Sequence, residues 1–363
     1  TPPEGFIYSR LGNPTLNMAE QRLAAWDDSA DAALFSSGMA AISTALLAWS
    51  DADRPVWYVG PLYGGSHHFL DEVLPTMGRD VCALDHLDGL DAMLVEEGAR
   101  RPGIIYLETP ANPTMQIQRI RTASLWAQAH STDDHRIMVM VDNTYLGPVL
   151  QRPLEHGADL VLYSATKYLG GHSDLIAGAA SGHQDVVAKV KEFRTFLGGM
   201  ADPWTSWMLA RSMETLHVRI ERQQENAGLL LAHLREMCGA DAVKSAWVED
   251  LTAMGEDASI AQAQQQGGGS MVGLTVPGGR EGAFAFLDAL KVFKLAVSLG
   301  STESLAEHPA SMTHADVPAD VKAATGITEG FVRLSVGLEH PEDLIADATQ
   351  AWKVACEVAN LPV

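Results

Sequence analysis

DLVLYSATKYLGG, residues 159–171, joins a short apolar run to a polar turn that holds a lysine. Its apolar run LVLY, 160–163, has the length and bulk of a buried strand, and it stops at the polar turn Ser164-Ala165-Thr166-Lys167. Lys167 therefore stands where a strand ends. In an open parallel sheet that edge is where ligands bind, so an amine flanked by two hydroxyls suits an aldehyde that also carries a phosphate. A lysine alone in such a turn is as readily a solvated side chain. The neighbouring strands decide between the two.

Working outward, other short apolar runs end in polar chemistry of the same kind. IMVMV, 137–141, runs into Asp142-Asn143-Thr144. A carboxylate directly after a continuous apolar run is expected to face a cation, either a basic side chain or a cationic ligand atom. GIIYL, 103–107, runs into Glu108 and then into Pro110-Ala111-Asn112-Pro113, where residues before proline stay extended. VWYV, 56–59, ends in Gly60-Pro61-Leu62-Tyr63-Gly64-Gly65, a setting in which Tyr63 can lie flat on a planar ligand or simply pack on its own loop. AALF, 32–35, runs into Ser36-Ser37-Gly38-Met39 and a strong helix former from Ala40 to Trp49. Strand, small residues, helix is the layout that aims free backbone N–H groups at an anion, with the serines as N-caps, though simple capping uses the same residues. Four or five such strands with helical stretches between them predict an α/β fold with a mostly parallel, doubly wound sheet.

The ends of the chain read differently. Residues 1–15, TPPEGFIYSRLGNPT, are rich in turn formers and predict an extended arm, in which Tyr8 and Arg10 fall on one face. A phenol and a guanidinium so placed suit a phosphate, or an ordinary surface. Helices and loops are expected from 186 to about 231, and QAQQQGGGS, 262–270, as a loop. From Met271 the pattern becomes MVGLTV, a helix from Glu281, LAVSLG, FVRLSVGL and a last helix over 341–358, which predicts a second, smaller α+β domain. Arg333 stands in the middle of FVRLSV, where an unpaired guanidinium is costly, so it requires an anion: a substrate carboxylate or an internal Asp or Glu.

Composition bounds the function. The 363 residues carry 25 Lys+Arg against 46 Asp+Glu, a net charge of −21, which argues against nucleic acid or an anionic membrane as partner. Cys82, Cys238 and Cys356 are widely spaced without CxxC pairs, so a reducing, cytoplasmic setting fits and a thiolate metal site does not. No apolar run has membrane-spanning length and no signal-peptide pattern is seen, in a chain that opens at Thr1. His67 and His68 are adjacent and diverge on a helix, so they form no metal pair. P-loop, strand-linked GxGxxG, HExxH and GxSxG motifs are absent, which removes the usual signatures of nucleotide hydrolases, dinucleotide oxidoreductases, zinc proteases and serine hydrolases.

Taken in order, YSRLGNPT, SSGMAAIST, PLYGGSHHF, LETPANPT, the stretch 141–174, SLGSTESLAEHPASMTHA and GITEGFVRLSVGLEHPEDLIAD resemble the pyridoxal-phosphate enzymes of cysteine and methionine metabolism, the trans-sulfuration group of cystathionine γ-synthase, cystathionine γ-lyase and methionine γ-lyase. The resemblance spans nearly the whole chain. It implies the type I, aspartate aminotransferase-like fold, with an N-terminal arm over 1–15, a cofactor-binding large domain over 16–218 and a small domain over 219–363. It also implies pyridoxal 5'-phosphate as cofactor, joined as an imine to Lys167, with Asp142 on the pyridinium nitrogen and Tyr63 stacked on the ring. Gly38, Met39, Ser164 and Thr166 would bind the phosphate, completed by Tyr8 and Arg10 of a neighbouring subunit, in a homodimer or homotetramer. Arg333, Ser298 and Asn112 would hold the substrate α-carboxylate, with Glu108 and Thr144 near the ring. The implied activity is γ-elimination on cystathionine, methionine or homocysteine, or γ-replacement on an activated homoserine. A catalytically silent scaffold is the remaining alternative, and Lys167, Asp142, Tyr63 and Arg333 together speak against it. Methionine γ-lyases carry a cysteine after the Tyr-Gly of this loop, whereas Gly65 stands here, which points away from methionine as preferred substrate. The family's N-terminal arm is longer than the one present.

Overall fold

A computed structural model of the chain describes residues 5–96, 100–253 and 258–361. Their contacts divide into two compact units, one of residues up to Thr109 with Gln118–Leu216, the other of Pro110–Ile117 with His217–Val363. The sequence reading ran the large domain unbroken over 16–218; here the loop 110–117 groups with the second unit instead.

The first unit is built on a seven-stranded sheet in the order β1-β7-β6-β5-β4-β2-β3. Its strands are β1 (Asp31–Phe35), β2 (Val56–Val59), β3 (Val81–Leu84), β4 (Ile104–Glu108), β5 (Met138–Asp142), β6 (Leu160–Tyr163) and β7 (Gly178–Gly182). β3, β2, β4, β5 and β6 pair in parallel, and β7 runs antiparallel between β6 and β1. β2, β4, β5 and β6 are buried along their whole length, because both faces of the sheet are covered. Alternation assigns the faces: Tyr58, Tyr106, Met140 and Leu162 join one core cluster, while Trp57, Ile105, Leu107, Val139 and Val141 join the other. The first face is packed by helix α2 (Gly38–Trp49), which buries Ile42, Ala45 and Leu46 against it. The preceding helix α1 (Pro14–Trp26) begins two residues inside the stretch read as an arm, capped by the Asn13 side chain on Leu16 N.

Two strands of the first unit lie where the sequence predicts none. β3, VCAL, is an edge strand with its first three residues partly exposed, so it lacks the unbroken apolar signal. β7, GAASG, has no bulky residue at all. Its composition follows from crowding: a Cβ on Gly178 would meet Ser37 O at 2.0 Å, and one on Gly182 would meet Asp159 O at 2.4 Å. Small residues are needed because neighbouring backbone passes too close for anything else.

The second unit holds a five-stranded sheet in the order β10-β11-β12-β9-β8, from β8 (Val243–Lys244), β9 (Met271–Thr275), β10 (Lys294–Leu295), β11 (Leu305–Glu307) and β12 (Phe331–Ser335). Its helices Gly279–Ala289 and Pro341–Val358 supply Phe286, Leu344, Ala348 and Ala351 to a core shared with Val272, Leu274, Val332 and Leu334. The LAVSLG stretch is strand only at Leu295; from Ala296 to Gly300 it turns away, with Val297 half exposed.

At the end of α1, Asp27 is buried, and its Oδ1 accepts the Tyr163 hydroxyl proton at 2.5 Å while its Oδ2 has no hydrogen-bond partner among the described residues. Burial pushes this carboxyl up from 3.8 to about 6, against the lowering effect of the Tyr163 hydrogen bond. The folded value lies above the unfolded one. The group's contribution is therefore fully present below pH 3.8 and is lost as pH rises through 6, to an extent of about 3 kcal/mol. Asp27→Asn keeps the acceptor for Tyr163 and removes the buried charge. Its melting temperature should exceed that of the native chain by a margin that widens between pH 5 and pH 7; a margin flat with pH would show that Asp27 ionises without penalty.

Candidate active site

The C-terminal ends of β4, β5 and β6 gather polar groups on one edge of the large sheet. Asp142 is the last residue of β5 and Glu108 the last of β4, and the two are paired across the ladder. In a parallel pair, residues in register point to the same face. Both carboxylates are almost fully buried, Glu108 at 4% exposure and Asp142 at 5%. Glu108 Oε2 accepts the Tyr63 amide N–H at 2.7 Å, which fixes the start of the Tyr63 loop. Tyr63 itself is partly exposed.

Asp142 Oδ1 takes two hydrogen bonds from Thr144, one from its amide at 3.0 Å and one from its hydroxyl at 2.5 Å. The same Thr144 Oγ1 accepts the Ser164 amide at 2.8 Å, so one hydroxyl ties the end of β5 to the turn after β6. No hydrogen bond to Asp142 Oδ2 forms, and no basic side chain pairs with it, among the described residues. The Tyr106 hydroxyl lies beside the carboxylate without a hydrogen bond of good geometry; burial, and then the charge of Asp142, hold its proton on. Burial pushes the Asp142 carboxyl up from 3.8 to about 6, more than the Thr144 hydrogen bonds lower it. Of the two partners the sequence reading left open for Asp142, the protein cation is thus not found. A buried carboxylate with one oxygen tied and the other unspent fits an N–H⁺ from a ligand.

Lys167 is half-buried in the turn after β6, its amide bonded to Ser164 O at 3.0 Å and its carbonyl to the Gly171 amide at 2.6 Å. Facing this turn is the N-terminus of α2. Ser37 caps the Ala40 amide at 3.1 Å, leaving the amides of Gly38 and Met39 with no acceptor among the described residues. A Cβ on Gly38 would stand 3.0 Å from both Cα and Cβ of Ser164, so any larger residue would push the helix end and the Ser164 turn apart by a few tenths of an ångström. Two unspent amides at a helix N-terminus beside a serine fit a phosphate. Thr166 fits less well, because its hydroxyl donates to Ala177 O at 3.1 Å and accepts the Ala177 amide at 3.0 Å. Tyr8 and Arg10 do lie together, the guanidinium 5.3 Å from the ring centroid, and Arg10 Nη1 donates to Thr195 O. Both are exposed on this chain.

In the second unit Arg333 is buried at 1% exposure in the middle of β12. Asn112 Oδ1 accepts from its Nη1 at 2.8 Å, and the carbonyls of Val297 and Ser298 accept from Nη2 at 3.1 and 3.0 Å. The internal anion that sequence reading allowed is present: Glu307 Oε1 lies 2.8 Å from Nη1. Asn112, Ser298 and Arg333 therefore form one cluster, with Ser298 contributing its carbonyl. Glu307 and Tyr106 were not singled out from sequence. Tyr106 could have been, as a lone phenol on the Asp142 face of an apolar strand; Glu307 needed the strand register. Among the described residues no group of His, Cys, Asp and Glu suited to a metal ion occurs, and no helix is long and apolar enough to cross a membrane.

A buried acceptor for a ring N–H⁺, unspent amides for a phosphate and a lysine in the adjoining turn after β6 are what pyridoxal 5'-phosphate requires. Comparison with known proteins agrees. The chain is 38% identical over 352 residues to an L-methionine gamma-lyase of Treponema denticola, covering 96% of this chain and 85% of that protein. It is 36% identical to a cystathionine beta-lyase of Lactococcus lactis subsp. cremoris, covering 96% and 89%. Among solved structures it is similar to cystathionine gamma synthase from Xanthomonas oryzae pv. oryzae in complex with cystathionine, at TM-score 0.88 and 32% identity over 98% of this chain and 89% of that one. Cystathionine gamma-lyase from Lactobacillus plantarum complexed with L-serine gives TM-score 0.86 and 34% identity over 98% and 91%. With residues 1–353 matching the family model of the Cys/Met metabolism PLP-dependent enzymes, the chain belongs to that family, with its type I fold and its pyridoxal phosphate cofactor.

Proposed function

We propose that this chain is a carbon–sulfur lyase that acts by γ-elimination on a sulfur amino acid, cystathionine, methionine or homocysteine, to give a 2-oxo acid, ammonia and a thiol. The observation that carries the reading is the Asp142 carboxylate, buried, raised to about 6 and without a protein cation. Its domains would be a cofactor-binding one over 16–218 and a small one over 219–363, with substrate and cofactor sites completed between copies in a homodimer or homotetramer.

The cofactor, when bound, supplies an electron sink for the pair released at the substrate's Cα. Asp142 Oδ2 would hold the proton on its ring nitrogen, with Thr144 orienting the carboxylate through Oδ1. Gly38 and Met39 amides with Ser164, less so Thr166, would bind its phosphate, joined by Tyr8 and Arg10 of a second copy. Lys167 Nζ would anchor it and, once released by the incoming amino acid, take the proton from Cα, give that proton up again and so be free to take a second one from Cβ. Tyr63 would cover the ring and pass a proton toward the leaving sulfur, its loop held by Glu108. Arg333, with Asn112 and Ser298 around it, would bind the α-carboxylate.

A second reading, γ-replacement on an activated homoserine, draws support from the likeness to cystathionine gamma synthase at TM-score 0.88. Incubation of purified protein with cystathionine, methionine and homocysteine, and with O-succinylhomoserine plus cysteine, separates the two. Release of 2-oxobutanoate from at least one sulfur amino acid is expected. Formation of cystathionine from the last mixture, with no 2-oxo acid from any of the others, would transfer the chain to the replacement reading.

A further inference from the structure

Arg333 has five N–H groups in a rigid fork. Nη1 serves Asn112 Oδ1 and Glu307 Oε1, each at 2.8 Å, and Nη2 serves the carbonyls of Val297 and Ser298 at 3.1 and 3.0 Å. Only Nε–H is left, and it is buried with no hydrogen-bond partner among the described residues. Glu307 is the one charged group in this shell. It is fully buried at 0% exposure, its Cα is the register partner of Arg333 across the β11–β12 ladder, and its Oε1 also accepts the Thr313 hydroxyl at 3.1 Å. A carboxylate anchored on a strand at this register holds the guanidinium in one plane, and its charge offsets most of the cation.

We propose that Glu307 is a positioning residue for substrate recognition: it fixes the plane of the Arg333 fork that receives the α-carboxylate of an amino acid, and its charge limits how tightly that carboxylate is held. The inference rests on the reading that Arg333 takes the α-carboxylate. A buried Arg–Glu pair is costly as a source of stability alone, since an apolar pair of similar volume serves as well. Its use here is to deliver a cation that binds an anion reversibly, with a fixed direction.

The test uses the holoenzyme and a pair of probes without a leaving group, L-norvaline and L-norvalinamide, titrated at equilibrium through the cofactor absorbance. The readout is the ratio of amide to acid dissociation constants, which isolates the carboxylate. Glu307→Gln keeps the acceptor and removes the charge, and should raise the ratio at least about threefold by tightening the acid. Glu307→Ala releases the fork and should lower the ratio at least about tenfold while the amide binds as before. A ratio that the Gln variant leaves unchanged overturns the proposal, and this variant decides the matter if the Ala protein does not fold. Equal weakening of acid and amide in the Ala variant, or a Gln variant no better than Ala, overturns it too. Arg333→Ala is the control: if it leaves the ratio intact, the carboxylate binds elsewhere and the reading of Arg333 fails; if it collapses the ratio while the Glu307 variants do not move it, only the present inference fails.

Discussion

Lys167→Ala abolishes turnover, with a loss on the order of 10⁴-fold or more, and the purified protein no longer keeps its visible absorption band through gel filtration. Two functions vanish with one nitrogen: the covalent hold on the cofactor and the base that removes the Cα proton. The fold should not follow. Lys167 is only half-buried, and its turn is fixed by backbone bonds from its own amide to Ser164 O and from the Gly171 amide to its carbonyl, neither of which needs the side chain. The variant apoprotein is therefore expected to stay folded and to melt in one cooperative transition, as the native apoprotein does. A variant that retains both colour and turnover would remove Lys167 from the chemistry.

Asp142→Asn should have opposite effects on activity and on stability. In the cofactor-free chain Asp142 is ionised only at a penalty: its folded value of about 6 lies above the unfolded 3.8. The stability it contributes is complete below the unfolded value and is lost as pH rises through the folded one. The asparagine variant escapes that loss, so as apoprotein it should melt higher than the native chain at pH 7 and no higher at pH 4. Its Oδ1 still accepts from the Thr144 amide and hydroxyl. What it cannot do is keep a proton on a ring nitrogen, and kcat should fall by about 10² to 10³. Holoprotein should reverse the stability order above pH 6, because the native carboxylate then meets its cation. If the native apoprotein proves the more stable at pH 7, Asp142 is not held as a strained, waiting anion.

The candidate residues were legible in the sequence because they stand at places where periodicity breaks. VWYV, IIYL, VMV and LVLY are continuous apolar runs, and a strand buried on both faces has no other composition available. Asp142 follows such a run directly and Lys167 closes the four-residue turn after another, so their position on the sheet edge could be inferred without coordinates. β7 could not, because a strand made of GAASG is selected by close backbone approach, which leaves no hydrophobic trace. The loop 110–117 read as a continuation of the large domain, yet Asn112 Oδ1 binds Arg333 in the second unit. Arg333 announced a need for an anion, but its partner Glu307 is set by the pairing of β11 with β12, and register between distant strands is carried by tertiary packing. The Thr166 hydroxyl shows the reverse limit: the residue type fitted a phosphate, and the structure spends it on the Ala177 backbone.

The most direct test is to reduce the holoprotein with borohydride, digest it and locate the cofactor by mass spectrometry. A pyridoxyl phosphate adduct on the peptide that contains Ser164-Ala165-Thr166-Lys167, at Lys167 and in near-stoichiometric yield, is the predicted result. An adduct on a different lysine, or reduced protein that carries none, would contradict it.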